Sequence, residues 1–291
     1  MSTQERYGII GAGAIGQALG ACLRRAGMEV LFWDQDESKA SVASPHELAQ
    51  HSSVIILAIP SGVVRSALKS IGSELNAEHI ILTVAKGVEK GFVTMDKVLQ
   101  AELSKDSSYG VIYGPMLAGE LLAGEGGYGV IASSQNLGQI VGDFAAGGLR
   151  LTVSTQLAAV TMCGVLKNIY ALGLGVADGL DLSMNAKAAL TVDMVSEMQR
   201  ILQHLQLPEE VALQHCGLGD LLATGWGDAS YNHRVGEEIG GGTVAGLGGE
   251  GLNSLMEVSS ILELTNFPII NSLHHIIVSK APAEQLSDLI R

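Results

Sequence analysis

The sequence predicts an α/β N-terminal domain, residues 1–154, followed by an all-α C-terminal domain, residues 155–291. Three observations predict it. Short runs rich in Val and Ile alternate with helical stretches through the first half, the pattern of a parallel sheet with helices on both faces. The first of these runs opens into a glycine-rich turn, "YGIIGAGAIGQALG". After about Thr155 the strand pattern stops and long helical periods take over.

Element by element, strands are expected at Tyr7–Ile10, Val30–Trp33, Val54–Ile59, Ile80–Val84, Val111–Tyr113, Tyr128–Ala132 and Leu149–Val153. Each is a short β-branched run closed by Gly, Pro, Asp or another turn former. Helices between them are expected at Ile15–Ala26, Val63–Ile71, Thr94–Leu103 and near Leu137–Ala145. The second half reads as helices at Thr155–Val176, Asn185–Leu205, Pro208–His215, Asp220–Trp226, Leu252–Thr265, Pro268–Val278 and Ala283–Ile290. The run "GGGTVAGLGGEG" at 240–251 reads as a loop by composition.

Composition narrows the function classes. A chain of 291 residues that is 47% hydrophobic and 16% charged has room for two cores and is not disordered. A net charge of −13 argues against a nucleic-acid binder, although local cations can still build a pocket for an anion. Cys22, Cys163 and Cys216 form no CxxC pair and read as reduced thiols of a cytoplasmic protein. The eight histidines show no metal-ligand spacing, so no metal is expected. The start, "MSTQERYGIIGAG", lacks the basic and apolar blocks of a signal peptide. Leu157–Val176 is long enough to span a membrane, but Lys167 and Asn168 stand at its middle. A buried helix and no membrane span are expected there. The expected partner is a small molecule, with room left for a homodimer.

Gly11, Gly13 and Gly16 form G-x-G-x-x-G directly after a strand and at a helix start. That context is the dinucleotide-binding Rossmann fingerprint: the first glycine for the tight turn, the second for approach of a pyrophosphate, the third for helix-on-strand packing. The backbone N–H groups of the helix start, at Ala14 and Ile15, face the anion. Asp34 ends the second strand eighteen residues after Gly16, where an acid accepts from a ribose diol and repels a 2′-phosphate. NAD is therefore expected over NADP, while a turn-starting role in "DQDES" remains open for Asp34. Pro60 ends the third strand beside the cofactor. Lys86 of "TVAKG" follows the fourth strand, at the carboxyl edge where such sheets bind ligands; a solvated loop lysine is its plain alternative.

Lys167 is the single charge in Leu157–Val176. An unpaired ammonium in an apolar interior is costly or loses its proton. Its stem lies along an apolar face with the head in water, or it points into a cleft with a proton to exchange.

In order along nearly the whole chain, "GAGAIGQALG", "AIPS", "AKG", "GPMLAGE", "CGVLKNIYALGLGVADGL", "NAKAALTVDMVSEMQRI", "GLGDLLAT", "SYNHRVGEEIGGG" and "GEGLNSL" resemble NAD(P)-dependent glycerol-3-phosphate dehydrogenases, and more distantly the 6-phosphogluconate and 3-hydroxyacid dehydrogenases. The resemblance implies a Rossmann domain, a 6-phosphogluconate dehydrogenase C-terminal-like helical domain, and oxidoreductase activity with NAD. It implies that Lys167 is the general acid/base, with Asp220 and Thr224 at i and i+4 on one helix face. Asp220 also reads as a helix N-cap after Gly217-Leu218-Gly219, its structural alternative. The substrate side, by the same resemblance, comprises Lys86, Gly114, Asn168, Ser230, Tyr231, Asn232 and Arg234. The cofactor side adds Ala118, Glu250 and again Lys86. Partial desolvation and the nearby Lys86 are expected to lower the Lys167 pKa.

The chain departs from the family at three places. Tyr231 stands where the family carries a phosphate-binding arginine, and a phenol cannot supply that charge. The block Gly114–Glu120 lacks the family's hydroxyl and base. The segment from Asp34 to Val54 is short. All three fall on the substrate side. Two enzyme readings stay open, the phosphorylated triose or another hydroxy compound, beside a non-catalytic NAD-binding module.

Overall fold

The apolar runs of the first half pair into one seven-stranded sheet in this computed structural model, which describes residues 6–135, 137–227, 230–243 and 248–289. The strands are β1 (Tyr7–Ile10), β2 (Val30–Trp33), β3 (Val54–Leu57), β4 (Ile80–Thr83), a small hairpin β5 (Val88–Glu89) and β6 (Val93–Thr94), then β7 (Ser108–Tyr113), β8 (Gly127–Ser133) and β9 (Leu149–Ser154). The sheet order is β2-β1-β3-β4-β7-β8-β9. β1 lies second from one edge, between β2 and β3, with Ile9 opposite Phe32 on one side and Ile56 on the other. Both faces of the central strands are buried, so they read as continuous apolar runs without alternation.

Five strands run parallel, but β8 is antiparallel to β7, and β9 follows β8. The parallel reading of the first five strands holds, and the antiparallel step falls at β8. Strand direction is set by the connection, and the short link through α5 (Ala118–Ala123) brings the chain straight back along its neighbour.

The helices of the sheet region are α1 (Ala14–Arg25), α2 (Pro45–Gln50), α3 (Ser61–Ile71), α4 (Met95–Glu102), α5 and α6 (Gly138–Ala146). Two of them, α2 and α5, carry no periodic signal because each has only six residues. The signal for α2 was its cap: Ser44 Oγ accepts from Glu47 N–H, and the Glu47 carboxylate accepts from Ala43 N–H.

By contacts the chain divides into Met1–Ala85 with Thr94–Thr161, and Lys86–Val93 with Met162–Arg291. The helices of the second half are α7 (Leu157–Gly179), α8 (Met184–His204), α9 (Asp220–Gly225), α10 (Tyr231–Gly240), α11 (Glu250–Ser259), α12 (Pro268–Val278) and α13 (Gln285–Asp288). Residues expected as a helix at 208–215 form a 3₁₀ turn, Glu209–Leu213, followed by a π turn, His215–Gly219. Of the run 240–251 expected as a loop, Gly240 closes α10 and Glu250 opens α11, 241–243 and 248–249 lie outside helices, and 244–247 lie outside the described residues.

α7 is the one described helix long and apolar enough to cross a membrane, and 89% of an apolar 18-residue stretch of it is buried inside the protein. Glycines let the end of this helix approach its neighbour closely. A Cβ on Gly175 would lie 1.9 Å from the His233 carbonyl, and one on Gly236 would lie 2.0 Å from the Leu172 carbonyl. Gly179 and Gly240 meet the opposite backbone in the same way. The two Gly-x-x-x-Gly faces thus bring α7 and α10 into backbone contact. Elsewhere Glu197 of α8, fully buried, accepts from the Ile269 and Ile270 N–H groups at the start of α12 and from the Tyr170 hydroxyl. Pro268 at the first helical position has no N–H to satisfy.

Gly175→Ala tests the α7–α10 crossing. Helix propensity favours Ala by about 1 kcal/mol, but an atom 1.9 Å from a carbonyl oxygen must move both backbones. The variant should lose about 1–3 kcal/mol or more of unfolding free energy in urea denaturation. A variant as stable as the native protein would contradict the crossing.

Candidate active site

The first group of predicted residues gathers at the carboxyl ends of β1, β2 and β3. Gly11 adopts φ +100°, and a Cβ there would lie 2.4 Å from the Ala58 carbonyl. A Cβ on Gly16 would lie 1.9 Å from the Gly11 carbonyl, so α1 can pack on the turn only with glycine there. Gly13 differs: it is exposed, and nothing in the protein lies within 4 Å of an added Cβ. Protein packing explains the first and third glycines and leaves space at the second. Gly13 is the N-cap of α1, and no side chain caps this helix start, where Ala14 is exposed and Ile15 half-buried. An uncapped helix start with open space in front fits a pyrophosphate.

Asp34 closes this group. Its Oδ2 accepts from Ala12 N–H at 2.6 Å and its Oδ1 from Asp36 N–H at 2.9 Å. The carboxylate therefore starts the turn and also ties β2 to the glycine loop. Each oxygen keeps a further acceptor site for a diol. A cavity of about 480 Å³ lies alongside, lined among others by Gly11, Asp34, Pro60 and Val63. Pro60 is the N-cap of α3, and β3 ends earlier than expected, at Leu57. These residues fit a dinucleotide with its ribose at Asp34. Ala118, at the start of α5, and Gly114 lie outside this lining. Gly114 has a packing reason of its own: a Cβ there would lie 2.5 Å from the Tyr128 carbonyl.

The second group gathers around Asp220. This residue opens α9, directly after the π turn, and is 2% exposed. Its backbone is already helical, and its carboxylate does not cap the helix; the N-cap alternative is corrected here. The carboxylate lies between two ammonium groups instead, with Lys86 Nζ at 2.7 Å from Oδ2 and Lys167 Nζ at 3.2 Å from Oδ1. The Lys167 side chain is 7% exposed, so its head does not reach water as a snorkelling lysine's would. Lys86 is likewise no solvated loop lysine, at 16%.

Burial is the largest influence on Lys167 and lowers its pKa from 10.5 to about 8; Asp220 opposes the shift, Lys86 adds to it, and Glu250 has a weaker raising effect. The sign for stability follows. Between about 8 and 10.5 the unfolded chain holds a proton that the folded chain has released, so the contribution of Lys167 to stability rises with pH across that window. Below it, the buried charge is a standing cost that Asp220 offsets.

Other predicted residues frame this centre. Asn168 Nδ2 donates to the Lys86 carbonyl at 3.0 Å, which fixes the backbone under that lysine. The Glu257 carboxylate accepts from Gly91 and Phe92 N–H at the tip of the β5–β6 hairpin that Lys86 leads into. Sequence reading missed Glu257, since an acid in a helix gives no sign of a distant backbone partner. Thr224 turns its hydroxyl onto the Asp220 carbonyl within α9. Asn232 Oδ1 accepts from Gly251 N–H, next to Glu250 at the start of α11. Ser230 caps α10 through His233 N–H, Tyr231 is 57% exposed, and Arg234 is exposed on α10.

Comparisons with known proteins bear on the family and the fold. Residues 156–288 match the NAD-dependent glycerol-3-phosphate dehydrogenase C-terminus, and residues 40–138 match its N-terminus. Residues 2–68 also match the NAD-binding domain of D-isomer specific 2-hydroxyacid dehydrogenases. The chain is 30% identical over 315 aligned positions to a glycerol-3-phosphate dehydrogenase [NAD(P)+] of Acinetobacter baylyi, covering 96% of this chain and 88% of that protein. It is also 30% identical to the Geobacter sulfurreducens protein of that name, covering 82% and 79%. Among solved structures, the glycerol-3-phosphate dehydrogenase of Coxiella burnetii superposes with a TM-score of 0.89 at 24% identity, covering 99% of both chains. These structures share the fold.

The arrangement makes a prediction independent of any substrate. In Asp220→Asn the two ammonium groups face each other with no carboxylate between them. The Lys167 pKa should fall below the native value of about 8, read from the ¹⁵Nζ resonance of lysine-labelled protein across a pH series. An unchanged or higher value would show that Asp220 does not hold the Lys167 proton in place.

Proposed function

The chain belongs to the NAD-dependent glycerol-3-phosphate dehydrogenase family, and from that premise we propose that it interconverts sn-glycerol 3-phosphate and dihydroxyacetone phosphate. It is an NAD-dependent dehydrogenase, with NADP as an alternative cofactor. Asp34 favours NAD because its carboxylate accepts from a ribose diol and repels a 2′-phosphate. Residues 1–154 form the cofactor-binding domain and 155–291 the substrate domain in this reading, with Lys86 as a contribution of the first stretch of sequence to the second group of residues. The three buried free thiols accord with a cytoplasmic protein.

The observation that carries the reading is the buried Lys86–Asp220–Lys167 group. When bound, the reduced nicotinamide supplies a hydride to the carbonyl carbon. Lys167 gives its proton to the carbonyl oxygen as that oxygen gains charge, and takes it back from the hydroxyl in the reverse direction. A pKa of about 8 suits both directions, because neither form of the amine is rare near neutrality. Asp220 orients the ammonium and keeps it from losing its proton too early. Asp220 neutralises only one of the two ammonium groups, so Lys86 retains attraction for an anionic substrate. Asn168 and Asn232 add amide groups, and Thr224 a hydroxyl that shares the Asp220 helix face.

Lys167→Ala tests the proton role. Turnover should fall by roughly 10²–10⁴-fold, with NADH affinity and fold retained. In the native enzyme, kcat/KM for ketone reduction should decline above pH about 8 as Lys167 loses its proton, while alcohol oxidation should rise through the same pH. Unchanged turnover in the variant, or matching pH limbs in both directions, would remove Lys167 from the chemistry.

Tyr231 tests the substrate. If the phosphate is bound without the family's arginine, Tyr231→Arg should raise kcat/KM for dihydroxyacetone phosphate by about ten- to a hundredfold, or about 1.4–2.7 kcal/mol. If Arg234 fills the role, Tyr231→Arg should do little and Arg234→Ala should cost a similar factor. Indifference to both changes, together with faster reduction of unphosphorylated dihydroxyacetone, would favour the second reading: a dehydrogenase for an unphosphorylated hydroxy compound. The replacement of arginine by tyrosine is what keeps that reading in view.

A further inference from the structure

A second buried ionic group lies in the helical half, away from the residues given roles above. Lys187, in the first turn of α8, is 8% exposed. Its Nζ lies 2.5 Å from Asp178 Oδ1 near the end of α7, and 5.5 Å from the centre of the Trp226 ring. The other Asp178 oxygen lies 2.7 Å from Nε2 of His233, which is 3% exposed on α10. Glu237 lies on the far side of the same imidazole, 3.8 Å from its Nδ1. Asp178, His233 and Glu237 bring three potential ligand atoms within 4.8 Å of one another, as a metal site would. The Lys187 ammonium already supplies the cation beside Asp178, so the grouping is read here as an ionic clamp.

What the clamp holds is informative. Trp226 directly follows α9, whose first residue is Asp220, and its Nε1 donates to Thr191 one turn along α8 from Lys187. His233 lies in the first turn of α10, and its N–H is the one that Ser230 caps. Trp226 and His233 therefore stand at the two ends of the segment that carries Tyr231 and Asn232. One lysine touches the ring at one end and the carboxylate that grips the imidazole at the other. Asn232 in turn accepts from Gly251 N–H at the start of α11. Among the described residues, none of these contacts is made to the side chain of Lys167 or Asp220.

We propose that Lys187 is a positioning residue for the substrate's anionic group, acting through Trp226 and the Asp178–His233 pair to set the place of Tyr231 and Asn232. The inference rests on the proposal that this segment binds the substrate phosphate. Lys187 makes no contact with the reacting centre, so its loss should weaken binding and spare the proton transfer. Arginine can keep both the ion pair and the ring contact; methionine keeps the stem and loses both.

The experiment compares full-length Lys187→Met and Lys187→Arg by kinetics and by amide hydrogen exchange. In Lys187→Met, exchange at the Gly251 and His233 amides should quicken by about tenfold or more relative to amides in the second half of α8. KM for dihydroxyacetone phosphate should rise by about ten- to a hundredfold, with kcat within about threefold of native. Lys187→Arg should return both readouts to near-native values. Should Lys187→Met fail to fold, Lys187→Gln and the Arg variant still carry the comparison. Unchanged exchange at both amides overturns the proposal whatever the kinetics, and so does a fall in kcat with KM unmoved. Faster exchange with unchanged KM also overturns it, and locates the failure in the reading of the segment as a phosphate site. Lysine-dependent exchange and KM moving together support it.

Discussion

The placement of Asp220 is the constraint on which the proposed chemistry depends. A carboxylate 2% exposed is tolerated because two ammonium groups meet it, one on each oxygen. The dependence is mutual. Lys167, near the middle of the long apolar helix α7, would lie uncompensated without Asp220, and breaking such a buried pair is far more costly than never having formed it. Local structure delivers the carboxylate. The π turn His215–Gly219 leads directly into α9, and Gly217 admits the Ala212 carbonyl to 2.2 Å of where a side chain would begin. A π turn of this kind re-aims the residue that follows it, a use such turns often have at functional sites.

Much of this was legible from residue order. The strand runs, the glycine turn, Asp34 at the end of β2 and the long apolar helix around Lys167 all follow from periodicity and from known motif physics. The reversal of β8 was not legible, since an apolar run has the same composition in either direction. The short helices α2 and α5 have too few turns for a period, though the Ser44–Glu47 pair marked one of them. α10 was hidden for another reason: the serine of "SYNHRVGEEIGGG" is a helix cap and its glycines are a packing face, and neither leaves a periodic apolar signal. Glu257 and Lys187 were missed because their partners are 166 and 9 residues away in sequence on other elements, Gly91 and Asp178. Charge pairing of that kind is a property of the fold and has no local signature.

The glycine turn shows how structure separates requirements that a motif joins. Gly11 and Gly16 are demanded by the protein itself, because each would drive a Cβ into a carbonyl oxygen. Gly13 meets nothing. A packing argument alone would let alanine stand there, so its glycine points to space reserved for something outside the chain. The fold needs two of the three glycines, and the proposed cofactor site would account for the other. Asp34 divides its duties similarly, since its two backbone bonds hold the loop's shape and leave acceptor capacity over.

The same separation applies at Tyr231. Its ring lies against Gly249, which has φ +127°, and a Cβ on that glycine would come within 2.8 Å of the ring edge. The tyrosine is thus fitted to the backbone that turns into α11, whose first residues are Glu250 and Gly251. A guanidinium is also planar and can lie on the same surface. Exchange of arginine for tyrosine there keeps the packing and removes the charge. Under the proposed function, what changes is the strength with which a dianion is held, and the burden would pass to cations that remain: Lys86, whose partner Asp220 is shared with Lys167, and Arg234 on the exposed side of α10. The proton-transfer group is untouched by the exchange. In the proposed reading, Tyr231 and Arg234 bear on binding alone and Lys167 on proton transfer, while Lys86, through the Asp220 it shares with Lys167, joins the two.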